Sequence, residues 1–478
     1  MFVKDSERIF QLYLLGRQSF IIIRYLSIRK HEDSFFDKLS ENPPIFVLLS
    51  FLITIFGGTL LLLLPRATAA GATTTFLDAL FTSTSATCVT GLIVVDTGTH
   101  FTILGQLVIL LLIQIGGLGI MSVSSAFAIM LGQKVSLRSE SLMQNVMGES
   151  NKLDMKYLVK NIVIVTFIFE LLGAIFLYFT FKSDFLSTQK AIYYAVFHSI
   201  SSFCNAGFSL FPDSFVNYLG NLNINLVVTF LIIFGGIGFP FMVDIRRNLK
   251  KGFKFSRLSL HSKIVLSTTI TLIVLGTIAF FIGEYNSEME NLPLEKRLLA
   301  SFFQSVTTRT AGFNTIDNSE LSRASVFSTI ILMFIGASPG STGGGIKTTT
   351  FWVVIIAVIA MLKGYKDVNV FKRKVTQDII KKVIVLIAIS AATIAFMVYL
   401  LFIFEPFSFE QILFEATSAF GTVGLSMGIT SWLSSVGKII IIVLMYLGRV
   451  GPLTLIYAIS ETKAKIEFHY TEEKIGIG

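Results

Sequence analysis

The chain has 478 residues, enough for three soluble domains by length alone. Composition excludes that: 53% of the residues are apolar, 14% are charged and the mean hydropathy is +0.74, against about 25% charged in a soluble domain. Such a chain lacks the polar residues to cover a globule and reads as an integral membrane protein, while the net charge of +9 raises nucleic-acid binding, which the placement of the charges has to decide.

Residues 1–43 hold no span, because Arg17 and Arg24 interrupt the partly apolar stretch Leu12–Leu26. They read as a cytoplasmic segment near the membrane surface and not as a signal peptide. Eight long apolar segments follow, at 44–64, 101–131, 159–181, 222–245, 262–283, 324–362, 379–404 and 435–460. Each reaches the ~20 residues that cross a bilayer. The segments at 101–131 and 324–362 exceed one straight span and carry glycine clusters, which predicts a break inside each. Four shorter apolar stretches, at 74–86, 190–203, 294–307 and 409–420, read as re-entrant half-helices. Residues 461–478 form a short cytoplasmic tail. The apolar runs lack period-2 alternation, which argues against an outer-membrane barrel. Two cysteines and five scattered histidines exclude a disulfide scaffold and argue against structural zinc.

Lys and Arg are concentrated in 1–43, 132–160, 246–263, 363–382 and 461–478, which together hold 29 of the 39. By the positive-inside rule these regions and both termini are cytoplasmic, as an even number of spans requires. The basic excess is therefore topological, and nucleic acid is not a partner.

Self-comparison finds four stretches aligned on a glycine: Thr84–Leu92 on Gly91, Ile200–Phe208 on Gly207, Ser305–Phe313 on Gly312 and Thr417–Leu425 on Gly424. Ten residues before each glycine is a Phe (Phe81, Phe197, Phe302, Phe414), and six before it three repeats carry Ser (Ser85, Ser201, Ser418). A second glycine cluster follows 24–28 residues later, at Gly116, Gly235, Gly336 and Gly448. The fold class expected is an all-α membrane protein of four parallel helix–pore loop–helix repeats, with eight transmembrane helices and four half-helices around one pore. The repeats are 44–131 (pore loop 74–92), 159–245 (190–208), 262–362 (294–313) and 379–460 (409–425).

A cation crossing a bilayer must exchange its water for other oxygens, and backbone carbonyls can supply them. Glycine suits such a site because it reaches angles other residues avoid and lets the chain approach an axis. The candidate ion-binding segments are Val89-Thr90-Gly91, Asn205-Ala206-Gly207, Thr310-Ala311-Gly312 and Thr422-Val423-Gly424. None is acidic, which favours a weakly hydrated monovalent cation over calcium or magnesium. Cys88 and Cys204 hold equivalent places and read as packing residues. Arg309 either caps half-helix carbonyls, pairs with an acid such as Asp317, or tunes ion occupancy. Glu170, inside a span, is either an ion-coupling group or a structural hydrogen-bonding one.

At these residues the chain resembles the Trk/Ktr/HKT superfamily of potassium transporters, over roughly 44–460. The run Thr307-Thr-Arg-Thr-Ala-Gly-Phe-Asn-Thr315 is especially close. Within the superfamily it is most similar to the bacterial KtrB membrane subunits. It lacks the additional N-terminal helix pair of TrkH-type proteins, and Gly91 stands where sodium-transporting plant HKT proteins often have Ser. The resemblance implies potassium uptake across a bacterial inner membrane, with K⁺ bound at the four glycines, and it leaves sodium activation open. It implies an intramembrane gating loop at 336–350, comprising Gly336, Ala337, Ser338, Pro339, Gly340, Ser341, Thr342, Gly343, Gly344, Gly345 and Lys347, with Arg449 beneath the filter. It implies a membrane homodimer and a cytoplasmic ring of RCK-type subunits, KtrA-like or TrkA-like, that bind the regulatory nucleotide. This chain itself needs no cofactor, and the basic loops 246–263 and 363–382 face the right side to dock such a ring.

The loop also looks superficially like a Walker A motif, but one residue is inserted before Lys347 and no βαβ strand precedes it, so ATP binding is rejected. An inverted-repeat secondary transporter is the alternative, and the parallel orientation of all four loops argues against it. No nucleophile–base set suggests an enzyme.

Overall fold

The computed structural model describes residues 43–119, 155–287 and 289–451. The segments 1–42, 120–154 and 452–478 lie outside the described residues. So do the readings made of the N-terminal segment and the tail, and of the later parts of 101–131 and 435–460.

One order of elements recurs four times: a long helix, a short helix, a glycine loop, and a second helix. The first set is α1 (Pro43–Leu62), α2 (Phe76–Cys88) and α3 (Ile103–Leu118). The second is α4 (Met155–Asp184), α5 (Thr188–Phe203), α6 (Leu222–Ile237) and α7 (Phe239–Leu249). The third is α8 (Leu260–Gly283), α9 (Leu294–Thr307), α10 (Arg323–Phe334) and α11 (Thr348–Leu362). The fourth is α12 (Gln377–Phe404), α13 (Phe409–Gly421) and α14 (Ser435–Val450). The one exception to an all-helical chain among the described residues is a minimal hairpin, β1 (Asn369–Val370) with β2 (Arg373–Lys374), in the basic loop after α11.

Helix starts are written in the sequence as capping residues. Thr75, Ser187 and Ser408 cap three of the short helices, and Thr102, Asn221, Ser322 and Ser434 cap the second helices; each side chain accepts an N–H from the first turn. The ends are equally regular. α3, α6 and α14 each stop at a glycine with positive φ: Gly119 (78°), Gly238 (97°) and Gly451 (88°). In the third set a 13-residue loop separates α10 from α11. The break expected in 101–131 and 324–362 therefore also occurs in 222–245 and 435–460. Between α6 and α7 the chain turns by 95°. A single glycine is enough, because only glycine takes these angles without strain.

Three helices are long and apolar enough to cross a membrane by themselves: Lys160–Asp184, Leu260–Gly283 and Gln377–Phe404. The bent pair α6–α7 qualifies when taken together, and the remaining apolar helices are 10–17 residues long. This is fewer than the eight unbroken segments expected, because the glycine breaks divide them.

The core is not one central cluster. Buried apolar residues gather at the junctions between successive sets: Leu62, Ile109, Phe197 and Phe208 between the first and second; Phe181, Val228, Phe303 and Phe313 between the second and third; Met333, Phe414 and Val423 between the third and fourth. Phe81 and Leu92 meet Leu401, Phe420 and Leu444 between the fourth and first. The last junction is also polar. Lys438 Nζ of α14 lies 2.9 Å from Asp78 of α2, and the Tyr446 hydroxyl donates to the Leu48 carbonyl of α1 (2.8 Å). The four sets thus meet in the cyclic order one, two, three, four, one.

Candidate functional site

Each short helix ends in a residue with left-handed backbone two positions before its glycine: Val89 (φ 58°), Asn205 (58°), Thr310 (75°) and Thr422 (50°). The glycines are left-handed as well: Gly91 (96°), Gly207 (69°), Gly312 (76°) and Gly424 (93°). An L-residue in this region is disfavoured by roughly 1–2 kcal/mol, so four equivalent instances mean that the surrounding structure holds them.

The six-before serines are part of that hold. Ser85 Oγ accepts the Gly91 N–H (3.0 Å), Ser418 Oγ accepts the Gly424 N–H (3.1 Å), and Ser201 Oγ donates to the Phe208 carbonyl (2.7 Å). In the third segment the same place is taken by Thr307, whose hydroxyl donates to the Phe313 carbonyl. Phe303 is fully buried there, like Phe81, Phe197 and Phe414, while Phe302 is only half-buried. The third short helix therefore stands one residue nearer its glycine than the sequence alignment implied. Phe303 and Thr307, not Phe302 and Val306, are the structural counterparts.

The glycines face one another in a closed ring. A Cβ on Gly91 would lie 2.5 Å from the Ala206 carbonyl oxygen, one on Gly207 2.9 Å from that of Ala311, one on Gly312 2.3 Å from that of Val423, and one on Gly424 2.2 Å from that of Thr90. All four glycines line one cavity of about 360 Å³, whose walls include Asp96, Ser209, Asp317 and Ser426. The structure thus brings Val89, Thr90, Gly91, Asn205, Ala206, Gly207, Thr310, Ala311, Gly312, Thr422, Val423 and Gly424 to one place.

The other side of the ring is filled by the loop between α10 and α11. It is pinned to its own ends by Gly336 N–H to Ile346 O (2.8 Å) and by the Ser338–Thr348 hydroxyl pair (2.9 Å). It is pinned to the second set by Ser338 N–H to Gly236 O (3.0 Å), Thr342 N–H to Gly235 O (3.2 Å) and Phe239 N–H to Gly340 O (2.9 Å). Gly344 N–H donates to the Thr422 hydroxyl (3.0 Å), so the loop touches the left-handed residue of the fourth segment. A Cβ on Gly343 would meet the Thr310 hydroxyl at 2.1 Å. Arg449 of α14 completes the seat: Nη1 donates to the Thr342 carbonyl and Nη2 to the Gly116 carbonyl of α3. One guanidinium so joins the first, third and fourth sets, which a single ammonium could not do in the same geometry. Lys347 donates to the Gly343 carbonyl (2.8 Å) and belongs to the loop; it lies at the N-terminus of α11, not near a cytoplasmic helix end.

Two other residues settle differently. Arg309 is buried, and its Nη2 donates to the Thr269 hydroxyl of α8 (3.5 Å). Neither expected partner receives it. Asp317 sits on the cavity side of the ring, where it accepts from the Ser319 N–H and hydroxyl (2.9 and 2.7 Å). Glu170 accepts from Gln114 Nε2 of α3 (2.9 Å), beside the buried Cys204 thiol, so it links the first two sets through a hydrogen bond. Cys88 is likewise buried as a free thiol.

Sequence reasoning missed a second layer of small residues. Ser83, Ser199 and Ser305 donate to the carbonyls of Ile55, Glu170 and Ile273, each three residues before a first-helix glycine: Gly58, Gly173 and Gly276. A Cβ on those glycines would lie 2.4, 2.5 and 2.3 Å from the serine hydroxyls. The signal was present as a serine seven or eight residues before three of the four ring glycines.

Residues 16–467 match the TrkH family, described as cation transport protein. The chain is 40% identical over 444 residues to Ktr system potassium uptake protein B of Vibrio alginolyticus, covering 92% of this chain and 96% of that one. It is 41% identical over 424 residues to the protein of the same name from Bacillus subtilis (88% and 94%), and 37% identical over 435 residues to potassium/sodium uptake protein NtpJ of Enterococcus hirae (90% and 95%). Its fold is similar to that of the potassium transporter TrkH from Vibrio parahaemolyticus, with TM-score 0.72 at 19% identity, covering 91% of this chain and 86% of that one. With the family match spanning nearly the whole chain and relatives of this identity along it, the chain is a member of the TrkH family of cation transport proteins.

Proposed function

We propose that this chain is the ion-conducting subunit of a Ktr/Trk-type potassium uptake system in a bacterial cell membrane. The four sets are parallel repeats, each crossing the membrane twice when the broken helices count as single crossings. The cavity with Asp96 and Asp317 faces outside, and both termini are cytoplasmic. The single observation that carries the reading is the closed ring of four left-handed glycine segments opening onto one cavity. In it, carbonyl oxygens at Val89-Thr90-Gly91 and its three counterparts replace the water of a potassium ion. The C-terminal ends of the four short helices point their negative dipole ends at the same place.

The loop Gly336–Thr350 is the gate. It fills the path on the cytoplasmic side of the ring, and the positive charge of Arg449 and Lys347 there opposes cation passage. Opening requires the loop to leave Arg449, Thr422 and Gly235. No large soluble domain is described in the chain, so the signal to open comes from a cytoplasmic RCK-type ring, KtrA-like or TrkA-like, that carries the nucleotide and docks on the basic loops 246–263 and 363–382. The Ktr-system names of the relatives support such a partner. The potassium/sodium name of the Enterococcus hirae relative supports sodium as an activating or co-transported ion. The protein acts as a membrane homodimer. Uptake is driven by the membrane potential, worth about 2.3 kcal/mol per unit charge per 100 mV.

The test is growth and potassium uptake in potassium-starved cells that lack their own uptake systems. Wild type with an RCK subunit should rescue them; failure with every RCK subunit supplied overturns the proposal. Gly91→Ser and Gly312→Ser should each lower K⁺ over Na⁺ discrimination, and unchanged discrimination removes the filter assignment.

A further inference from the structure

The cavity side of the ring carries a feature beyond the glycines. His198 lies nine residues before Gly207, is fully buried, and faces the loop that follows that glycine. The Leu210 N–H donates to His198 Nε2 (3.2 Å), so Nε2 is an acceptor and Nδ1 carries the proton it gives to the Tyr194 carbonyl (2.8 Å). The Ser209 hydroxyl donates to the same Nε2 (3.0 Å) and accepts the Phe211 N–H (3.0 Å). One imidazole thus fixes the two residues that come second and third after Gly207.

The fourth segment repeats this with different chemistry. Glu415 also lies nine residues before its glycine and is also fully buried. Its carboxylate accepts from the hydroxyl of Ser426 (2.8 Å), two after Gly424, and from that of Thr430, six after it. In the third segment the one-residue shift makes Gln304 the counterpart. It too is fully buried, and its amide donates to Asn318 (3.0 Å), six residues after Gly312. His, Glu and Gln share no sequence pattern, yet each runs from the buried face of a short helix to the second or sixth residue beyond a glycine. In the first segment the counterpart is Thr82, whose buried hydroxyl bonds no partner.

We propose that His198, Gln304 and Glu415 are positioning residues. Each is a buried strut that fixes the loop on the cavity side of its glycine segment, and with it the direction of the carbonyls at Gly207, Gly312 and Gly424. The first segment has no such strut and is held by Ser85 alone. This rests on the filter reading above. Buried polar groups of this kind are dear to leave unpaired and specify one geometry when paired. Loss of a strut frees the loop, so the filter carbonyls no longer hold one radius, and discrimination between ions of different size falls before conduction does.

The experiment measures K⁺ and Na⁺ uptake in proteoliposomes of the full chain. Apolar variants (His198→Leu, Glu415→Met) are compared with polar ones that keep an acceptor (His198→Gln, Glu415→Gln). The apolar pair should lose K⁺ over Na⁺ discrimination by tenfold or more at equal reconstituted protein, and the polar pair should recover most of it. Wild-type discrimination in the apolar variants overturns the proposal, as does equal loss in the polar ones, which marks the struts as packing only. Should the apolar variants fail to fold, Ser209→Ala and Ser426→Ala remove the strut's far end without opening the core; unchanged discrimination in both is then the overturning result. If wild type itself shows no preference for K⁺, the filter reading fails, and not this one.

Discussion

At the scale of single residues the glycine ring makes a graded prediction. The space for a side chain differs among the four: a Cβ comes to 2.9 Å of a carbonyl oxygen at Gly207, but to 2.5, 2.3 and 2.2 Å at Gly91, Gly312 and Gly424. Gly207→Ser should therefore be the mildest of the four serine substitutions in K⁺/Na⁺ discrimination, and Gly424→Ser the most damaging; a reversed order in a flux assay contradicts the ring geometry. Arg449 gives a second prediction. Arg449→Ala deletes both bonds that hold Thr342 and Gly116, and Arg449→Lys can keep only one. Rubidium efflux without any regulatory subunit should rise in both, more in Ala than in Lys. The glycines and Arg449 were legible in sequence because each is the rare residue type its place demands: positive φ in one case, a charge at depth in the other. The registration of the third segment was not. Phe302 and Phe303 are adjacent, and only packing decides which is buried. The partner of Arg309 was also hidden, because Asp317 is close in sequence yet on the other side of the ring.

Among elements, the contact between first and short helices depends on having no side chain at one place. Gly57 and Gly58 are neighbours in α1, but a Cβ on Gly58 would lie 2.4 Å from Ser83 Oγ, and one on Gly57 would meet nothing within 4 Å. Gly58→Val should lower thermal stability in detergent, by about 1–3 kcal/mol as for other overpacked cores, and Gly57→Val should not. Equal effects of the two would mean the helices do not meet as described. The short helices were readable to within two residues, since capping residues and hydrophobic length mark their ends. The breaks in the second helices were only half readable. A glycine cluster announces where a helix can break, but the 95° turn at Gly238 also needs the loop from α10 to occupy the space so opened, and that contact is remote in sequence.

For the whole molecule, the ring closes where the chain's beginning meets its end. Burial raises the pKa of the Asp78 carboxyl, but the Thr75 hydroxyl and the Lys438 ammonium together outweigh it and hold the group below its ordinary value of 3.8. A carboxylate lowered on folding stabilises above its unfolded pKa and loses that contribution as pH falls through the folded one. The junction between first and fourth sets should thus weaken below about pH 4. A double-mutant cycle of Asp78→Asn and Lys438→Met should give a coupling on the order of 1 kcal/mol at pH 7 that vanishes at pH 3. No coupling at pH 7 would show that the junction is held by its apolar residues alone. The cyclic order has one more consequence. In an assembly of four identical subunits every substitution appears four times, and any insertion must fit its own three copies around the axis. Here the four sectors are written separately. One of them carries a 13-residue loop and another a single arginine, and there is room on the axis for one of each. Joining the sectors in one chain is what allows the plug and its clasp to exist at all, and it lets a mutation be applied to this ring as a quarter dose.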